Sequence, residues 1–186
     1  MSICLNEKKQ ECENMSGGNE SARVVRVCFV CTGNTCRSPM AAAVANAVAK
    51  KYEKTLREKN LPTIEAISAG LYANDGDPIS LHARDALEMA DIPPVKGMDY
   101  REHVAHTVNK SDVQASDLII GLSGGHCMEL MMRFPEAAQK IVGMPNSISD
   151  PFGGGLAVYR DCLSQIMDGI RQLLFSSVTE EEWGGK

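Results

Sequence analysis

At 186 residues the chain is long enough for one domain of the usual ~100–200 residues with short tails, which excludes a pair of full domains. Nineteen Lys and Arg stand against 24 Asp and Glu, a net charge of −5, and the charges are interspersed, which excludes the basic stripe of a dedicated nucleic-acid binder. The seven cysteines are odd in number with no signal-peptide core ahead of them, and no apolar run approaches the ~20 residues that span a bilayer, so a reducing, cytoplasmic setting away from membranes is expected.

Residues 1–22 have few bulky apolar side chains and no burial period, which predicts a mobile tail. From Arg23 the β-branched run VVRVCFV predicts a strand buried on both faces. After CTGNTCR, Ser38 as N-cap and Pro39 at the first helical position predict a long helix through MAAAVANAVAKKYEKTLREK. Ile64–Ala69 reads as a second strand closed by Gly70, and Asp77-Pro78 opens a second helix with Ile79, Ala83, Ala86 and Ala90 on its apolar face. Residues 92–107, with Pro93, Pro94 and Gly97, read as irregular. Asp117–Leu122 predicts a third strand, a helix follows on Cys127, Leu130, Met131 and Phe134, and Lys140–Met144 supplies a fourth strand. A last amphipathic helix carries Leu163, Ile166, Met167, Ile170 and Leu174, and residues 177–186 form an acidic tail. The alternation predicts an α/β fold: a single three-layer domain over residues 23–176, a four-stranded parallel sheet with helices on both faces, and ligands beyond the carboxyl ends of the strands.

The loop after the first strand, Cys31-Thr-Gly-Asn-Thr-Cys-Arg37-Ser38-Pro39, has the physics of an anion cradle at a helix N-terminus. It lacks the lysine and glycine spacing of a nucleotide P-loop. The partial positive charge that attracts phosphate also favours a thiolate at its first position, Cys31, while Arg37 brings a planar fork for two phosphate oxygens. A thiolate attacking phosphorus makes a cysteinyl phosphate; its formation needs a proton donor for the leaving group, and its hydrolysis needs that same side chain as base for water. Asp150, in Asp150-Pro151-Phe152 after the fourth strand, is the candidate. A lone cysteine at a strand end is ordinarily an inert buried thiol, and Asp-Pro alone is a common turn; the combination carries the reading. Cys28 and Cys31 form a C-x-x-C with no second pair at zinc spacing, so no metal site is expected. Met128, Met131 and Met132 read as core filling, and His82, His106 and His126 as surface or satisfied packing histidines.

With V-C-x-G-N-x-C-R-S-P early and D-P-F late, residues Arg23 to Phe175 resemble the low-molecular-weight protein tyrosine phosphatase family. The resemblance implies Cys31 as nucleophile, Arg37 as phosphate clamp and Asp150 as general acid then base, with no metal or organic cofactor. It implies that Thr32, Gly33, Asn34, Thr35, Cys36 and Ser38 line or brace the phosphate site, with Ser38 helping to hold the thiolate. Ser68 and His103 match supporting residues, and Cys36 matches a cysteine that pairs with Cys31 under oxidation. Thr35, together with the DPFGG run, looks like the protein arginine phosphatase branch. A hydroxyl there suits a guanidinium where a branched aliphatic residue would favour an aryl ring, and Phe152 can stack on either. The expected substrate is therefore a phosphoarginine protein, with a phosphotyrosine protein as runner-up. A thioredoxin-coupled arsenate reductase shares such a loop but needs relay cysteines, and no cysteine lies between Cys36 and Cys127. A phosphate-sensing module without turnover is the non-enzymatic alternative.

Overall fold

The computed structural model describes residues 23–177, so the tails expected over residues 1–22 and 177–186 lie outside the described residues apart from Ser177. Four strands, β1 (Val24–Cys31), β2 (Thr63–Gly70), β3 (Leu118–Gly121) and β4 (Ile141–Gly143), form an all-parallel sheet in the order β2-β1-β3-β4. β1 is internal, and its β-branched run is consumed on both faces: Val27, Cys28, Phe29 and Val30 are each at most 1% exposed.

Side-chain alternation along β1 divides the core in two. Val27, Phe29 and Cys31 pack with α1 (Arg37–Lys51), α3 (Leu81–Met89) and α6 (Leu156–Leu174). Cys28 and Val30 pack on the other face with Ile119, Leu130 and Ile141, under α4 (Lys110–Ala115) and α5 (Gly124–Arg133). Cys28 and Cys31 thus point to opposite faces of the sheet. Each fully buried side chain such as Phe29, Ile120 or Ile166 contributes ~1.5–3 kcal/mol by removal from water. No helix among the described residues is long and apolar enough to cross a membrane.

Several elements differ from the sequence expectation for identifiable reasons. α1 begins at Arg37 behind Cys36, which makes no side-chain capping bond, and Pro39 sits inside the first turn, where its missing N–H has no intrahelical partner to lose. Ser38 does not cap because its hydroxyl is engaged by the loop. The long helix breaks at Tyr52, and α2 (Glu53–Glu58) follows. The helix expected at Asp77-Pro78 starts later, capped by Ser80, whose side chain accepts from Ala83 N–H, while Pro78 bridges Val104 in extended conformation. α4 falls just after the segment read as irregular, and Asn109 and Asp112 close a capping box at its start. Met128 and Met132 are 68% and 77% exposed and Met131 is 40% exposed, so they do not fill the core; α5 is short and spends its buried positions on His126 and Leu130.

From β1 the chain crosses outward to β2, and from β3 it crosses outward in the opposite direction to β4. That divergence opens a crevice at the carboxyl ends of β1 and β3. β1 ends there at Cys31.

Candidate active site

Five residues, Thr32 to Cys36, join the end of β1 to the first turn of α1. The loop carbonyls are drawn outward: Leu71 N–H donates to Cys31 O (2.8 Å), Tyr72 N–H to Thr32 O (2.9 Å) and Ser80 N–H to Thr35 O (2.8 Å), and His103 Nε2 lies 2.7 Å from Asn34 O. In a trans peptide the N–H points away from the carbonyl of the same unit. The N–H groups of Thr32, Gly33, Thr35 and Cys36 therefore turn inward, as an anion cradle requires.

Asn34 holds the loop in this shape. It adopts φ +56°, a left-handed conformation that asparagine tolerates better than most residues, and it is fully buried. Its Nδ2 donates to Ser38 Oγ (3.0 Å) and Ser68 Oγ (2.9 Å), and its Oδ1 accepts from His106 N–H (3.0 Å). At the end of β2, a Cβ on Gly70 would stand 2.9 Å from Thr32 O, so glycine permits the strand to approach the loop this closely. Burial lowers the His103 imidazole from its ordinary range, which suits Nε2–H donation by a neutral ring to Asn34 O.

Cys31 is 2% exposed, and its Sγ lies 3.0 Å from Ser38 Oγ. Arg37 is almost wholly covered, and its Nη2 donates to Asp150 Oδ2 at 2.7 Å. The Asp150 side chain is half exposed; its Oδ1 accepts from Phe152 N–H (3.2 Å), and Phe152 projects 81% exposed. Thr32 is exposed and Gly33 and Thr35 partly so at the rim, where Thr35 Oγ1 lies 3.6 Å from Cys36 Sγ. Cys36 is buried, within 3.4 Å of Ser80 Oγ and 3.3 Å of Tyr159 Oη. Burial, then the Cys36 contact, pushes the Tyr159 hydroxyl up to about 12, which keeps it protonated.

The structure thus brings Cys31, Asn34, Arg37, Ser38, Ser68, His103 and Asp150 to one end of the sheet, with Thr32, Gly33, Thr35, Cys36 and Phe152 around them. Three further residues join them that sequence reasoning did not single out for the site: Tyr159, Ser80 and His126. His126 is indeed a satisfied packing histidine, with Nδ1 2.9 Å from Ser123 Oγ, but its Nε2 packs against the loop, 3.1 Å from Thr32 Oγ1. The serine three residues before it, at a helix start, was the one local signal. Among the described residues no three His, Cys, Asp or Glu side chains gather to hold a metal ion.

A thiol and a guanidinium in one anion cradle, faced by a carboxylate from a neighbouring loop of a parallel α/β sheet, form a site suited to phosphoryl chemistry. Residues 26–183 match the family model of the low molecular weight phosphotyrosine protein phosphatases. A protein-arginine-phosphatase of Geobacillus stearothermophilus is 34% identical, the match covering 84% of this chain and 98% of the relative. A low molecular weight protein-tyrosine-phosphatase, PtpB, of Staphylococcus haemolyticus is 30% identical, covering 82% of this chain and all of the relative. The crystal structure of a low molecular weight protein tyrosine phosphatase from T. tengcongensis superposes with a TM-score of 0.70 at 32% identity, over 82% of this chain and 99% of that one. The chain belongs to the low-molecular-weight phosphotyrosine protein phosphatase family and is a phosphatase, hence a hydrolase.

Proposed function

We propose that the protein dephosphorylates phosphoarginine in proteins through a cysteinyl-phosphate intermediate. The observation that carries the mechanism is the meeting of Cys31, Arg37 and Asp150: thiol and guanidinium share one short loop, and Arg37 Nη2 lies 2.7 Å from Asp150 Oδ2. In the first step the inward N–H groups and Arg37 hold the phosphoryl oxygens. The Cys31 thiolate then attacks phosphorus, the S–P bond forms as the P–N bond of phosphoarginine breaks, and the proton of the Asp150 carboxyl passes to the departing guanidine nitrogen. In the second step Asp150, now a carboxylate beside Arg37, takes a proton from water. The water oxygen bonds to phosphorus and the S–P bond breaks. Ser38, 3.0 Å from Cys31 Sγ, hydrogen-bonds to the thiolate as it leaves and keeps its own proton.

Thr35 supports arginine over tyrosine as the phosphorylated residue, since its hydroxyl gives the rim a polar wall for a guanidinium, and the 34% identical relative is named for that activity. Phe152 offers a stacking face. Phosphotyrosine is the second reading, supported by the 30% identical relative named for it. Arsenate reduction finds less support: Cys127 Sγ is tied to Val142 O (3.4 Å), and Cys162 is 1% exposed with its thiol pushed up to about 12 by burial. The proposed setting is the reducing cytoplasm, where a cysteine nucleophile stays a thiol.

The test is phosphate release from matched phosphoarginine and phosphotyrosine proteins. The expected result is a higher kcat/KM on phosphoarginine that is abolished by Cys31→Ser; preference for phosphotyrosine refutes the substrate assignment, and release by Cys31→Ser refutes the mechanism.

A further inference from the structure

His126 takes no part in the steps above, yet it is 6% exposed and both of its ring nitrogens are engaged. It stands at the start of α5 behind the N-cap Ser123, whose Oγ lies 2.9 Å from Nδ1. On the other side of the ring, Nε2 lies 3.1 Å from Thr32 Oγ1. That same oxygen accepts from Arg37 Nη2 at 3.5 Å, and the same Nη2 donates to Asp150 Oδ2 at 2.7 Å. One chain of contacts, Ser123 to His126 to Thr32 to Arg37 to Asp150, therefore links the loops that follow β3, β1 and β4.

A guanidinium can only donate, so Thr32 Oγ1 must offer it a lone pair. Either tautomer of His126 leaves one free while fixing where the hydroxyl points. Thr32 is otherwise exposed at the rim, where a free threonine hydroxyl rotates among its staggered positions. We infer that His126 is a positioning residue for phosphate binding: anchored by Ser123, it holds the Thr32 hydroxyl as the acceptor that sets the plane of the Arg37 fork. The inference rests on the phosphatase reading above. It is reinforced by the charge state of the ring, which burial first and Arg37 second push down to about 4 against the opposing Asp150. A neutral ring leaves Arg37 as the cation that meets phosphate at this point of the cradle.

The test reads phosphate binding directly, as protection of Cys31 from iodoacetamide by inorganic phosphate, followed on the Cys31 peptide by mass spectrometry and alongside turnover of p-nitrophenyl phosphate. In His126→Ala the half-protecting phosphate concentration should rise about tenfold, the worth of one charge-assisted hydrogen bond. Alkylation of Cys31 without phosphate should keep its wild-type rate, which a collapsed loop would not allow. His126→Gln, whose amide nitrogen reaches near the place of Nε2, should recover most of the loss and keeps the test decisive should the alanine variant fold poorly. Adding His126→Ala to Thr32→Val should cost nothing further, since the two act through one contact. Unchanged protection in His126→Ala, a glutamine variant no better than alanine, or additive losses overturn the positioning role while the phosphatase reading stands. A wild-type chain that phosphate does not protect and that turns over no phosphate ester overturns that reading and this inference together.

Discussion

Thr35 carries its hydroxyl at the rim of the cradle, partly exposed, with its carbonyl tied to Ser80 N–H and its Oγ1 3.6 Å from Cys36 Sγ. The backbone is therefore held independently of the side chain, and Thr35→Ile changes the wall without moving the loop. The exchange is predicted to lower the ratio of phosphoarginine to phosphotyrosine kcat/KM by about tenfold or more; an unmoved ratio removes Thr35 from substrate choice. Cys36 is placed for a second test. Peroxide is predicted to convert the Cys31 thiolate to a sulfenic acid with loss of hydroxide, and the Cys36 thiol is then expected to displace water and form a disulfide. Inactivation by peroxide should be reversed by dithiothreitol in the wild type and only partly reversed in Cys36→Ser. His126 gives a pH signature. Its pKa falls from 6.5 to about 4 on folding, so between those values the unfolded chain binds the additional proton. Stability should accordingly fall as pH drops through that window, with His103, lowered chiefly by burial, acting in the same sense. Nuclear magnetic resonance should find the His126 ring still neutral at pH 5, and the urea midpoint of His126→Gln should fall less than that of the wild type between pH 7 and pH 5.

At the scale of elements, α1 is joined to the sheet by more than apolar contact. Asn46 is 3% exposed and pairs with one residue of the edge strand β2, donating Nδ2–H to Ala66 O (2.8 Å) and accepting Ala66 N–H at Oδ1 (2.8 Å). The side chain does for Ala66 what a further strand would do. Asn46→Leu strands a buried donor and acceptor and should cost ~2–4 kcal/mol in urea unfolding, with little change in kcat for whatever fraction is folded. This contact shows where the sequence is readable and where it is not. β1 and the loop after it are legible because their signals are local: a β-branched run, then cysteine, glycine, asparagine and arginine in fixed register before a helix. Asn46 in a helix of alanines carries no such mark, since its partner lies 20 residues away. Ser38-Pro39 reads locally as a helix cap, and the reading fails because Ser38 Oγ is committed to Cys31, Asn34 and Ala69 O. α4 was legible in principle from Asn109 and Asp112, the two ends of its capping box.

For the whole molecule, the site is an outcome of strand order. Cys31 and Arg37 flank the loop after β1, Ser68 comes from the end of β2, His103 and His106 from the long connection beyond it, His126 from the first turn of α5 after β3 and Asp150 from the loop after β4. The sequence marks Cys31, Arg37 and Asp150 by type and spacing, but only the order β2-β1-β3-β4 brings Arg37 within 2.7 Å of Asp150 across 113 residues. His126 carries only the local mark of Ser123 and reads as a packing histidine for the same reason: its contact with the loop is to Thr32, 94 residues away. The most direct test of the account uses Asp150→Asn with p-nitrophenyl phosphate. The good leaving group departs without an acid, while hydrolysis of the intermediate still needs the base. Acid-quenched protein should then carry one phosphoryl group, mapped by mass spectrometry to Cys31 and missing from Cys31→Ser. A phosphoryl group on another residue, or turnover that survives Cys31→Ser, would contradict it.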